Sequence, residues 1–144
     1  MKKQVTYFFG SIRGEKSEAS IRNALVSYLR GYGEVITEHF EPHSLNDRQI
    51  YMRDMRNIER STVLVGEVTA ATTGGGFEIG RVVERNIQAD ERFGIIRPIL
   101  CLYRTSPEKT SAIITGCREG SFTSKKYENL DEAFVHIDSF FRSL

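Results

Sequence analysis

The sequence predicts an α/β domain, with a mostly parallel five-stranded sheet covered by helices on both faces. Three observations lead there. Short β-rich runs alternate with helical stripes nearly to the C-terminus. The third run, Thr62–Val68, is continuously β-branched and aliphatic, as strands covered on both faces are. The 144 residues hold no repeat, low-complexity stretch or obvious linker, so one domain with one core is expected over 1–144.

Val5–Phe9, ending at Gly10, reads as a buried first strand. Ser17–Tyr32 carries Ile21, Ala24, Leu25, Tyr28 and Leu29 at helical spacing and is closed by Gly31 and Gly33. Glu34–Glu38 is a second strand. Asn46 is placed to cap a helix reaching about Arg60, with Ile50, Met55 and Ile58 along it. After Thr62–Val68 and a loop over Thr69–Gly74, a helix from about Gly75 to Gln88 carries Ile79, Val82, Val83 and Ile87. Pro98–Tyr103 is the fourth strand and Glu108–Gly116 a short helix. Ser121–Tyr127 is a weak edge strand, and Leu130–Phe141 a closing amphipathic helix. This is a Rossmann- or flavodoxin-like three-layer sandwich, in which ligands bind beyond the carboxyl ends of the strands.

Twenty Lys and Arg against nineteen Asp and Glu leave a net charge of +1, which gives no electrostatic reason to expect a nucleic acid or an anionic membrane as partner. A bound phosphate must then be held by a few aimed groups. Two cysteines are too few for a disulfide framework. Cys101 falls in the apolar run Ile99–Tyr103 and reads as packing; Cys117 reads as an inert thiol. The apolar run at the N-terminus is too short for a signal peptide, and no segment is long enough to span a bilayer. The expected setting is the cytoplasm or the nucleus. No HExxH pattern joins His39, His43 and His136, so no metal is expected.

The strand ends carry the chemistry. After the first strand come Gly10-Ser11-Ile12-Arg13-Gly14, where glycines let the backbone approach an anion, Ser11 offers a hydroxyl and Arg13 a forked cation. Such a turn is also common without function, and it matches neither a Walker loop nor a dinucleotide fingerprint. After the third strand, Thr69, Thr72 and Thr73 and the run Gly74-Gly75-Gly76 lead into a helix start, where free N–H groups favour anions. Glu78 is expected in that helix's first turn. There the dipole keeps a carboxylate ionised, whether for structure or for nucleophilic attack.

Asp54 lies between Ile50 and Ile58 at i, i+4 and i+8, in line with the apolar stripe of its helix. A surface ion pair with Arg53 or Arg56 is the plainer reading. An inward carboxylate, however, favours its protonated form and suits a general acid. Glu67, at the end of the third strand, competes for that role and ranks behind it. Tyr7, inside the first strand, reads as core packing. No GxSxG elbow is present, and Cys117-Arg118 does not fit a cysteine-phosphatase loop.

Jointly these motifs resemble those of the 2′-deoxynucleoside 5′-phosphate N-hydrolases, within the nucleoside 2-deoxyribosyltransferase superfamily. The resemblance is carried by Tyr7-Phe8-Phe9-Gly10-Ser11-Ile12-Arg13-Gly14, Gly33 to His39, Arg53-Asp54, and Gly66-Glu67-Val68-Thr69. It continues with Gly74 to Arg81, Ile99 to Arg104, and Ser111-Ala112-Ile113-Ile114. It implies Glu78 as the nucleophile at C1′, Asp54 as the acid that protonates the leaving base, and Tyr7 as the group orienting the nucleophile. It further implies that Gly10, Ser11, Ile12, Arg13, Thr72, Gly74 and Gly76 form the substrate site, with Ser11, Arg13 and Thr72 on the 5′-phosphate. Ser111 would reach that phosphate from the neighbouring subunit of a homodimer. Ala71-Thr72 stands where the family has Pro-Ser, and Gly75 where it has a bulkier residue; Thr72 keeps the hydroxyl. The expected reaction is hydrolysis of a deoxynucleoside monophosphate without a cofactor. Transfer of the deoxyribosyl group to a second base, hydrolysis of a CMP-type ribonucleotide and a non-catalytic nucleotide sensor are the alternatives.

Overall fold

Residues 2–10, 16–37, 44–70, 72–89, 94–105 and 110–144 are described by a computed structural model. Five strands make one sheet: β1 (Gln4–Gly10), β2 (Gly33–Thr37), β3 (Val63–Glu67), β4 (Ile99–Tyr103) and β5 (Phe122–Lys126). Their order is β2-β1-β3-β4-β5, and all four pairings are parallel. The helices are α1 (Lys16–Leu29), α2 (Asp47–Arg60), α3 (Thr73–Gln88), α4 (Ala112–Gly116) and α5 (Leu130–Arg142).

Alternation along β1 decides which layer each side chain joins. Phe8 points to the core built with Leu25 and Leu29 of α1 and Ile137 and Phe141 of α5. Tyr7 and Phe9 point to the opposite core, with Ile58 of α2, Ile79 and Val82 of α3 and Ile114 of α4. Between them, the two cores complete the three-layer sandwich. In the central strand a Cβ on Gly66 would stand 2.2 Å from the Phe9 ring, so only glycine leaves room for that aromatic floor.

The helix boundaries differ from expectation in three places. The helix α1 stops at Leu29, and Arg30–Tyr32 forms a separate 3₁₀ turn before Gly33. At φ 145° and with Gln4 O only 2.0 Å from where a Cβ would stand, that position admits glycine alone. The helix α3 begins at Thr73 rather than Gly75, because Thr72 Oγ1 accepts from the Gly75 N–H at 3.0 Å. Thr73 and Gly74, expected in the loop, are therefore helix. The helix α4 starts only at Ala112, with Thr110 and Ser111 outside it; Glu108 lies outside the described residues. At α2 the expected cap is present, as a capping box in which Asn46 and Gln49 exchange 2.9 Å hydrogen bonds.

Candidate active site

At the carboxyl ends of β1 and β3 a cavity of about 800 Å³ opens between α2, α3 and α4, ample for a nucleotide. Glu78 lies on its floor. The residue is 8% exposed, and Glu78, Val82 and Asn86 recur every four residues as buried positions of α3, so its place on the inward stripe buries it. Beneath it the fully buried Tyr7 donates its O–H to Glu78 Oε1 at 2.9 Å. One carboxylate oxygen is thus held by a phenol that its local sequence marks as packing and that only the family resemblance links to Glu78. Because α3 starts at Thr73, Glu78 is its sixth residue and lies beyond the first turn. The macrodipole fades over that distance, so the phenol contact, not the helix start, is the specific support for this carboxylate.

Asp54 and Ile58 are the buried residues of α2, and Asp54 lines the same cavity. Both placements weighed from sequence hold at once. The carboxylate is inward, and Arg53 Nε also donates to its Oδ1 at 2.9 Å.

Glu67 also lines the cavity but is heavily committed. Its Oε1 accepts from Thr69 N at 2.7 Å, while Oε2 accepts from the Tyr127 hydroxyl and lies 3.5 Å from Arg104 Nε. The Arg104 N–H donates to Thr69 Oγ1 at 2.9 Å, closing a network that clamps the β3–α3 connection. Burial, then the charge of Glu67, pushes the Tyr127 phenol well above its ordinary range, so it remains a donor. With its oxygens occupied in this way, Glu67 is a fixed brace rather than a rival acid. Sequence reasoning missed Tyr127, which follows an edge strand and carries no local signal.

Gly10, Thr72, Gly74 and Gly76 border the cavity as well. Thr72 accepts the Gly75 N–H, which leaves its own hydroxyl proton to donate to a ligand. Ser111 lines the cavity of its own protomer, at the entry to α4. Ser11, Ile12 and Arg13, like His39 and His43, lie outside the described residues. His136 Nε2 sits 2.9 Å from Lys126 O. Among the described residues no group of three or more His, Cys, Asp or Glu could hold a metal ion, and no helix is long and apolar enough to cross a membrane. Burial raises the Cys101 thiol far above its ordinary range, which keeps it protonated and unreactive.

No family model matches the chain. Individual relatives do. The 5-hydroxymethyl-dUMP N-hydrolase of Mus musculus is 36% identical over 125 residues, 80% of this chain and 66% of that protein. Its Homo sapiens counterpart is 34% identical over 148 residues, 95% of this chain and 79% of the relative. A Nematostella vectensis protein, provisionally named 2′-deoxynucleoside 5′-phosphate N-hydrolase 1, is 34% identical over 149 residues, 96% of this chain and 94% of its own length.

The chain belongs to the 2′-deoxynucleoside 5′-phosphate N-hydrolase family.

It is therefore an enzyme, and N-glycosidic hydrolysis is its class of reaction; the non-catalytic sensor is set aside. The Clostridium botulinum CMP N-glycosidase BcmB superposes with a TM-score of 0.68, covering 94% of this chain and 98% of its own at 14% identity, and so shares the fold. In this N-hydrolase the cavity brings two carboxylates from different helices, Asp54 and Glu78, to one space at the sheet's carboxyl edge. That is the minimum equipment for cutting a glycosidic bond.

Proposed function

We propose that this N-hydrolase cleaves 2′-deoxynucleoside 5′-monophosphates to free base and 2-deoxyribose 5-phosphate. The observation that carries the proposal is the Tyr7–Glu78 hydrogen bond on the floor of a cavity that Asp54 also lines. Tyr7 orients the Glu78 carboxylate through Oε1, and that carboxylate attacks C1′. As the C1′–N bond breaks, its electron pair goes to the base, which takes a proton from Asp54. Arg53 then stabilises the carboxylate left on Asp54. In the second step Asp54 recovers a proton from water as the hydroxyl attacks C1′ and releases Glu78. A deoxyribose has no electron-withdrawing 2′-hydroxyl, so positive charge develops at C1′ at lower cost. The Mus musculus and Homo sapiens relatives are themselves named for a deoxynucleoside monophosphate.

In this proposal the 5′-phosphate sits at the Gly10 end of the cavity, held by Ser11, the Ile12 backbone and Arg13, with Thr72, Gly74 and Gly76 opposite. The expected result is a loss of roughly 100-fold or more in kcat/KM for a deoxynucleoside relative to its 5′-monophosphate, since several charge-assisted hydrogen bonds are forfeited. Equal values for the two substrates would refute the phosphate requirement.

The working unit in this proposal is a homodimer in which Ser111 also serves the neighbouring site. Supporting it are exposed apolar side chains, with Ile113 of the cavity lining 82% exposed, Phe77 54% exposed, and Tyr51 packed edge-on against Phe77. Sedimentation of the active enzyme should report twice the 16.4 kDa chain mass. A fully active monomer at assay concentration sinks the dimer.

A further inference from the structure

The cavity poses an electrostatic problem. Asp54, Glu67 and Glu78 line it, and no Lys or Arg among the described residues does. A phosphate monoester brings ~1.5 to 2 further negative charges at neutral pH. These carboxylates, faced among the described lining residues only by glycine N–H groups and the neutral hydroxyls of Thr72, Thr73 and Ser111, would repel it, even after Arg53 and Arg104 offset part of their charge.

A second cleft, of about 20 Å³, adjoins the cavity and shares Gly10, Glu67 and Ala70 with it. Two arginines line this cleft, Arg104 and Arg22. Arg104 is engaged with Glu67. Arg22 comes from α1, on the other face of the sheet, and its Nε is shut off from solvent without a hydrogen-bond partner. A buried guanidinium donor left unsatisfied is costly, and native structures keep few of them. The cleft has room for about one water and none for a phosphate, so an anion would rest at Gly10 with the guanidinium reaching toward it. At the carboxyl edge of the sheet, side chains from both layers can reach one ligand.

We propose that Arg22 is a specificity-determining residue whose guanidinium meets the substrate's 5′-phosphate at Gly10 from the α1 side. This rests on the 5′-monophosphate reading above and adds a cation to it from a helix that reading does not use.

The test compares wild type with R22Q and R22K, after thermal unfolding shows which variants are folded. Two quantities are read: the inhibition constant of inorganic phosphate, and the preference for a deoxynucleoside 5′-monophosphate over its nucleoside. Both should weaken by about 10-fold or more in R22Q, the range of one charge-assisted hydrogen bond. KM for the monophosphate should change more than kcat. R22K keeps the charge but loses the Nε donor, and should fall between R22Q and wild type. Wild-type phosphate inhibition and preference in both variants overturn the role of Arg22. If R22Q does not fold, R22K decides alone, and wild-type values there overturn it equally. A wild-type enzyme with no preference for the monophosphate brings down the phosphate requirement itself, and this inference with it. A preference present in wild type and unchanged in the variants overturns Arg22 only.

Discussion

Replacing Glu78 by Gln lowers the rate of base release by at least about 1000-fold while the protein still folds, because an amide cannot form the glycosyl–enzyme bond. The expectation of an intact fold comes from the contact beneath it. Tyr7 donates to Glu78 Oε1, and a glutamine amide oxygen of the same shape accepts that bond equally. Glu78→Ala differs in this respect. It leaves the buried Tyr7 hydroxyl unpaired and should cost about 1–3 kcal/mol of stability in addition to the activity. Thermal unfolding and single-turnover base release, measured on the same preparations, separate the two effects. A folded Glu78→Gln enzyme turning over near the wild-type rate would falsify the nucleophile assignment.

Asp54→Asn should distinguish leaving groups. An unactivated base departs slowly without a proton, so its release should fall by about 10²- to 10⁴-fold, the range of general acid catalysis. A base that leaves readily as an anion needs little help and should lose less than about 10-fold. Arg53 remains in both proteins and loses only the carboxylate it faces, so the comparison isolates the proton donor. The rate of base release by both enzymes with both kinds of substrate is the measurement. Equal losses for good and poor leaving groups take Asp54 out of the acid role.

Local patterns determined most of the fold. The short β-rich runs and the helical stripes name all five strands and the principal helices, because run length and side-chain periodicity report directly what an element buries. The cap at Asn46 and the inward position of Asp54 are also local: a hydrogen bond three residues long and an i, i+4 stripe with Ile58. The helix α3 starts two residues before the expected Gly75, at a stretch where glycine has the lowest helix propensity after proline. The Thr72 cap and the packing of Ile79 and Val82 on the sheet outweigh it.

The pairing of Tyr7 with Glu78 spans 71 residues and that of Tyr127 with Glu67 spans 60. Neither has a sequence signature, since each depends on how parallel strands are registered and how the helices dock on them. Gly10 lies opposite Glu67 in that register, which carries the first-strand turn and the third-strand loop to the same edge. The sequence by itself determined which residues could do the chemistry: carboxylates, hydroxyls and glycines just beyond the strands. Only the tertiary structure decided which carboxylate is braced by the β3–α3 connection and which face the cavity from the helices. Tyr127, Thr69 and Arg104 hold Glu67 in the β3–α3 connection, while the Tyr7 phenol donates to Glu78 from the sheet and Asp54 lines the same cavity from α2. The physical reason is that a hydrogen bond between distant residues is a property of distance and direction in space, and residue type and spacing along the chain specify neither.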